Sequence, residues 1–152
     1  MKLKVDYPSK DEERQILRSS ARTEPFKFKK SKIKATAITK AQKLINDIYV
    51  DEKVEEYILN LVFSTRNPSN YNLSDLSHLI ENGASPRASI SLILAAKARA
   101  FLEGRGYITP EDVRFIGKDV LRHRIILSYE AEAEEISSED IIQRLFDSIE
   151  IP

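Results

Sequence analysis

Gly83-Ala84-Ser85-Pro86-Arg87-Ala88-Ser89 reads as a loop that turns abruptly into a helix. Gly83 supplies a permissive backbone before the turn. Ser85 stands where an N-cap is needed, its hydroxyl able to accept from an orphan amide of the first turn. Pro86 falls at the first helical position, where its missing N–H costs nothing. Arg87 is then held at the mouth of a helix, beside amides that attract anions. A guanidinium fixed there suits a phosphate better than a lone surface arginine does. The plainer alternative is an ordinary capped helix with an exposed arginine, since such capping is common.

Working outward, the helix entered through Pro86 is predicted to run to about Glu103. Ile90, Ile93, Leu94, Lys97 and Phe101 follow the i, i+3, i+4 rule and are expected to form its inner face. Ala95, Ala96, Ala98 and Ala100 make it small-sided, as a central bundle helix needs to be. Gly104 is placed to end it in the left-handed conformation. Thr109-Pro110-Glu111-Asp112 repeats the start signal for a helix carrying Val113, Ile116, Val120 and Leu121. Arg122, His123 and Arg124 close that helix as cations at its negative end. Residues 130–135, four glutamates and two alanines, read as a solvated acidic linker. Ser137-Ser138-Glu139-Asp140 opens a last helix with Ile141, Ile142, Leu145, Phe146 and Ile149 facing inward.

Upstream, Asp51 caps a helix over about 52–66 with the stripe Val54, Tyr57, Ile58, Leu61, Val62 and Thr65, stopped by Asn67-Pro68. Leu73, Leu76, Leu79 and Ile80 suggest one or two helical turns before Gly83. Thr39 to Gln42 looks like a capping box for a short helix with Ala41, Leu44, Ile45 and Ile48 on one side. Residues 2–7 alternate with the period of a half-buried strand, Leu3, Val5 and Tyr7 on one face, yet no partner strand follows. Ser9 to Glu12 is a capping box for a helix to about Ser20. Residues 22–38 form a basic connector, with Phe26 and Phe28 interleaved among five lysines from Lys27 to Lys34. A nucleic-acid arm is the sharper reading of that connector and a solvated linker the favoured one. The fold class is therefore all-α, a helical bundle with a short orphan strand and an extended connector at the N-terminus.

The bulk numbers agree. An apolar share of 41% and a charged share of 32% suit a soluble globular chain, and 152 residues suffice for a real core. No apolar run reaches bilayer length. Cysteine is absent, which removes disulfides, thiolate metal sites and a cysteine nucleophile, and fits a cytoplasmic protein. The zero net charge hides an asymmetry: residues 1–50 hold 13 Lys/Arg against 6 Asp/Glu, while the remainder is acidic. Such a division suggests two faces with different partners, or one half docked on the other. The acidic remainder speaks against a nucleic-acid partner.

Catalytic parts are few. There is no GxxxxGK[ST] phosphate loop and no apolar strand ending in paired acids. His78 and His123 lie far apart with no HExxH, so no metal site is expected. Ser85 has no adjacent base. What remains is an electrostatic stabiliser without nucleophile or base, the inventory of half an enzyme.

Taken as an ordered series, these residues resemble the C-terminal lid of MoxR-type AAA+ ATPases. Val5 to Glu13 with Ile16-Leu17 is similar to the segment leaving the large nucleotide-binding domain. Val50-Asp51, Tyr57-Ile58, Leu61-Val62 and Thr65-Arg66 are similar to the lid's first long helix, and Gly83 to Ala88 to its sensor 2 motif. Gly104-Arg105, Tyr107-Ile108, Pro110 to Val113, Val120-Leu121 and His123-Arg124 continue the series. The resemblance implies that residues 1–38 are the remnant of a large domain plus connector, and residues 39–152 the helical lid. It implies that Arg87 is the sensor 2 arginine, flanked by Ser85 and Pro86 in the nucleotide site, contacting the γ-phosphate of ATP. It further implies ATP and Mg in the whole protein, a ring that is usually hexameric, a chaperone-like remodelling activity and von Willebrand A-type partner proteins. The phosphate loop, magnesium-binding acids, sensor 1 and arginine finger are absent, so this chain alone is not expected to hydrolyse ATP. An autonomous helical interaction module that works without nucleotide is the alternative.

Overall fold

A computed structural model describes residues 1–21, 23 and 32–152. Among them are seven α-helices: α1 Lys10–Ser20, α2 Ala35–Asn46, α3 Glu52–Ser64, α4 Pro86–Leu102, α5 Pro110–Leu121, α6 Tyr129–Ala133 and α7 Ser138–Ser148. Short 3₁₀ turns at Pro68–Tyr71 and Ser74–Leu76 follow α3. The helical bundle expected from the sequence is the observed architecture. Residues 22 and 24–31 of the basic connector, Phe26 and Phe28 among them, lie outside the described residues.

The core is one apolar cluster with α4 at its centre, packed most extensively on α5 and also on α3 and α2. The predicted stripe of α3 is buried throughout, from Val54 to Thr65. That of α5 is buried too: Val113, Ile116, Val120 and Leu121. The α7 residues Ile141, Ile142, Leu145, Phe146 and Ile149 close the cluster.

The inner face of α4 differs in part from the expected one: Ile93 and Phe101 are half-buried against the core as expected, but the fully buried row is another. Ala88, Leu92, Ala96 and Ala100 are fully buried, whereas Ile90 is 59% and Leu94 52% exposed. An i, i+4 row of three alanines and one leucine lets neighbouring helix axes approach closely, which bulkier residues would prevent. The competing row, Arg87, Ile90 and Leu94, is left outward. Gly104 has φ +73°, and the amides of Gly104 and Arg105 donate to Phe101 and Ala100, the predicted left-handed stop.

Asp112 ties the two ends of the α4–α5 turn together. Its carboxylate accepts from Arg99 Nε at 3.1 Å, from both Nη atoms of Arg105 at 2.9 and 2.6 Å, and from the Thr109 amide at 2.9 Å. Burial opposes its ionisation, but the Arg105 and Thr109 hydrogen bonds prevail and hold its pKa below the ordinary aspartate value. Arg99 also stacks on the Phe115 ring.

Four local expectations are corrected. Residues 2–7 form no strand: Leu3, Val5 and Tyr7 are exposed, for want of a partner strand. The Lys2 amide instead donates to Asp119 O. The helix expected from Thr39 begins at Ala35, and Thr39 Oγ1 donates back to the Ala35 carbonyl inside it, while Leu44 is exposed. Ile80 lies in a strand, β1 Ile80–Asn82, paired antiparallel with β2 Ile126–Leu127. The acidic linker is interrupted by α6, which Ser128 caps by accepting from the Ala131 amide, with Ala131 buried as its anchor.

Candidate nucleotide-facing site

The mouth of α4 is held against the end of α3. Gly83 approaches so closely that a Cβ there would stand 2.4 Å from the Thr65 carbonyl oxygen. Ala84 is fully buried, and its amide donates to Thr65 Oγ1 at 2.9 Å. The same hydroxyl donates to the Val62 carbonyl, and Arg66 Nε donates to the Ala84 carbonyl at 2.6 Å. Ala84 is thus clamped on both backbone polar groups, with Gly83 packed against the Thr65 backbone, before the chain enters α4.

Ser85 takes the extended N-cap conformation and Pro86 the first helical position, as predicted. The predicted side-chain cap is not made. The Ser85 carbonyl accepts from the Ala88 amide at 2.8 Å, while its hydroxyl bonds no amide of the turn. With residues 83–84 already pinned by Thr65 and Arg66, the turn is fixed without it, and the hydroxyl faces solvent.

Arg87 is exposed and has no hydrogen-bond or ion-pair partner among the described residues. The first turn of α4 contains no acid, unlike those of α3, α5 and α7. The positive end of the helix and the guanidinium are therefore both uncompensated. A polar hollow of about 260 Å³ opens beside the clamp, walled by Arg66, Asn67, Ser69, Asn70 and Glu81.

The end of α5 reaches the same helix. Arg124 donates through Nε to the Val120 carbonyl at 2.9 Å and through Nη2 to Ser91 Oγ at 3.0 Å. Arg122 binds Asp119 and Glu139. His123 was expected to act as a third cation. Partial desolvation, then Arg124, the N-terminus, Lys2 and Arg122, lower its pKa from 6.5. At neutral pH the charge at this helix end is therefore carried by the two arginines.

The structure brings Ser85, Pro86 and Arg87 together at one helix mouth. The clamp by Thr65 and Arg66 escaped the sequence reading, in which Thr65 closed an apolar stripe and Thr65-Arg66 matched the lid's first long helix with no chemical role assigned. Arg124 was read there as a helix-end cation, without its reach to α4. Among the described residues no group of three or more His, Cys, Asp or Glu could hold a metal ion. An exposed guanidinium beside an acid-free helix N-terminus is chemically suited to an anion.

A bundle with this arrangement belongs to a recognisable class. Residues 74–145 match the AAA lid domain. The chain is 37% identical over 151 residues to the chaperone MoxR1 of Mycobacterium tuberculosis, covering 99% of this chain and 40% of that protein. It is 32% identical over 120 residues to the protein MoxR of Methylorubrum extorquens, covering 75% of this chain and 35% of the relative. A crystal structure of a candidate ATPase from Cytophaga hutchinsonii superposes with a TM-score of 0.89 at 36% identity, over 97% of this chain and 45% of that one. The chain belongs to the lid domains of MoxR-type AAA+ ATPases. It spans less than half the length of these relatives. Among the described residues no helix is long and apolar enough to cross a membrane.

Proposed function

We propose that this lid senses nucleotide for a MoxR-type AAA+ ATPase, with Arg87 as the sensor 2 arginine. The observation that carries the reading is the exposed Arg87 guanidinium, without a partner among the described residues, at an acid-free helix mouth whose entry is clamped. A cation positioned in advance can stabilise charge on a transferring γ-phosphate without reorganising during reaction. Arg87 would contact the γ-phosphate, with Ser85 and Pro86 lining the approach. ATP and Mg would be held chiefly by a P-loop domain outside this chain, where the ion neutralises phosphate charge. Residues 1–38 would connect that domain to the lid body at 39–152. The assembled protein would work as a ring, hexameric by family likeness, and use hydrolysis to remodel protein complexes with von Willebrand A-type partners.

The test compares two proteins. The 152-residue chain alone should show no steady ATP hydrolysis, and a full-length MoxR-type ATPase carrying this lid should hydrolyse ATP and assemble in its presence. Steady turnover by the lone chain would refute the division of labour.

One observation favours a second reading, an interaction module that works without nucleotide. An apolar hollow of about 510 Å³ lies between α2 and α4, walled by Ala37, Ile38, Ala41, Ile45, Phe101 and Leu102. Self-association or partner binding that is indifferent to ATP would support it.

A further inference from the structure

Helix α2 is amphipathic yet contains no fully buried residue. Ala41 and Ile45 are half-buried, and Ile38 is 55% exposed. The cause is where α2 sits on its neighbour. The carbonyl of its last residue, Asn46, accepts from Lys97 Nζ at 2.9 Å, and α4 ends soon after, at Leu102. The start of α2 and the end of α4 wall one hollow, so the two helices run antiparallel. At 1.5 Å per residue α4 extends about 8 Å beyond Lys97, whereas α2 extends about 17 Å back from Asn46. The first turns of α2 therefore overhang the end of their support. Ala37, Ala41, Phe101 and the 83% exposed Leu102 are left lining the hollow of about 510 Å³.

Among the described residues that wall this hollow, Gln42 alone has a polar side chain. The charge around it has one sign. From residue 32 to residue 46 the chain carries Lys32, Lys34, Lys40 and Lys43 and no Asp or Glu. None of the four faces a carboxylate among the described residues. Lys34, the N-cap residue, precedes Ala37 by about one turn, and Lys40 follows it by about one turn. Glu103, the acid next to Leu102, is turned to Arg99 Nη2 at 4.0 Å. Such a field attracts acidic groups on whatever enters the hollow and repels basic ones. A bilayer surface would meet the same lysines, but a flat face does not fill a hollow between two helices. A third helix does. Its large side chains, recurring at i, i+3, i+4 and i+7, enter the space that Ala37, Ala41 and Ala98 leave.

We propose that the groove between α2 and α4 is a docking site for an acidic amphipathic helix of a partner protein. Apolar side chains on one face of that helix fill the hollow, and carboxylates on its flanks meet Lys34 and Lys40. About three turns fit, since the 12 residues of α2 span about 18 Å. This rests on the interaction-module reading, to which it gives an occupant, and is independent of Arg87.

The experiment uses the 152-residue chain and a synthetic helical peptide, with leucines three and four apart and glutamates on their flanks, followed by fluorescence anisotropy. A second peptide carries lysine for every glutamate. The acidic peptide should bind equally well with and without ATP, and about tenfold more tightly than the basic one. Its affinity should fall as salt rises. Leu102→Glu and Ile38→Glu, both at exposed positions, should each weaken it about tenfold or more, as loss of a buried apolar contact does. Lys34→Gln and Lys40→Gln should each cost about twofold to fivefold. Ile90→Glu, on the outward face of α4, should bind as wild type. Melting curves confirm that each variant is folded. Equal affinity for the two peptides, or equal losses in Ile38→Glu and Ile90→Glu, would overturn the proposal. Self-association without peptide binding would overturn it too and leave the interaction-module reading standing. Binding to phosphatidylglycerol vesicles, lost in Leu102→Glu, with none to the peptide, would assign the face to a membrane instead. A chain that neither self-associates nor binds either peptide would count against both the proposal and that reading.

Discussion

Arg66 Nε lies 2.6 Å from the carbonyl oxygen of Ala84, joining the end of α3 to the residue two places before α4 begins. The contact spans 18 positions in the chain. It fixes the backbone from which Arg87 projects, without touching Arg87. Arg66→Ala should cost about 1–2 kcal/mol, the usual loss when a charged donor leaves a part-buried carbonyl unpaired. Denaturant unfolding would measure it. In a full-length ATPase carrying the lid, the same substitution should lower turnover less than loss of Arg87 itself.

Gly83→Ala tests the clamp from its other side. The added methyl would meet the Thr65 carbonyl carbon and oxygen and the Arg66 amide, all backbone atoms that cannot swing aside. Overpacking of this kind costs about 1–3 kcal/mol. Melting temperature should fall, and exchange of the Ala84 amide, bonded to Thr65 Oγ1, should accelerate. An unchanged Ala84 exchange rate would argue against the contact.

The face of α4 makes a contrast between two similar residues. Leu92 is fully buried and Ile90 is 59% exposed. Leu92→Ala should destabilise by about 2–5 kcal/mol, as buried leucines do. Ile90→Ala should cost well under about 1 kcal/mol in this chain. Equal costs would contradict the observed packing.

Asp112 links stability to acid. Its folded pKa is lowered from 3.8, so its contribution is fully present above that unfolded value. It is lost as pH falls below 3.8 and through the folded value. Asp112→Asn should lower stability at neutral pH by about 3 kcal/mol, because two arginines lose their shared carboxylate. It should also flatten the acid limb of a stability–pH curve. A variant whose curve runs parallel to wild type would sink this assignment.

Legibility in the sequence followed the range of the interaction. The boxes at Ser9–Glu12, Thr109–Asp112 and Ser137–Asp140 were readable because a cap and its partner lie three residues apart. The entry through Pro86 was readable from proline's own preference for the first helical position, although the Ser85 hydroxyl makes no cap. The α4 face was misread at Ile90 and Leu94, though not at Ile93 and Phe101, because two rows satisfied helical spacing and choosing between them depends on how close α3 and α5 come. The pairing of Ile80–Asn82 with Ile126–Leu127 joins distant segments too short to show a period. Thr65 and Arg66 carry no local signal for their role. Both act on Ala84 across a loop, which only the folded chain brings together.

The most direct measurement is the turnover of a full-length MoxR-type ATPase carrying this lid with Arg87→Ala. A guanidinium that stabilises the transferring phosphate is worth about 2–4 kcal/mol in barrier, so kcat should fall about a hundredfold while the protein stays folded. A kcat indistinguishable from wild type at saturating ATP would contradict the account.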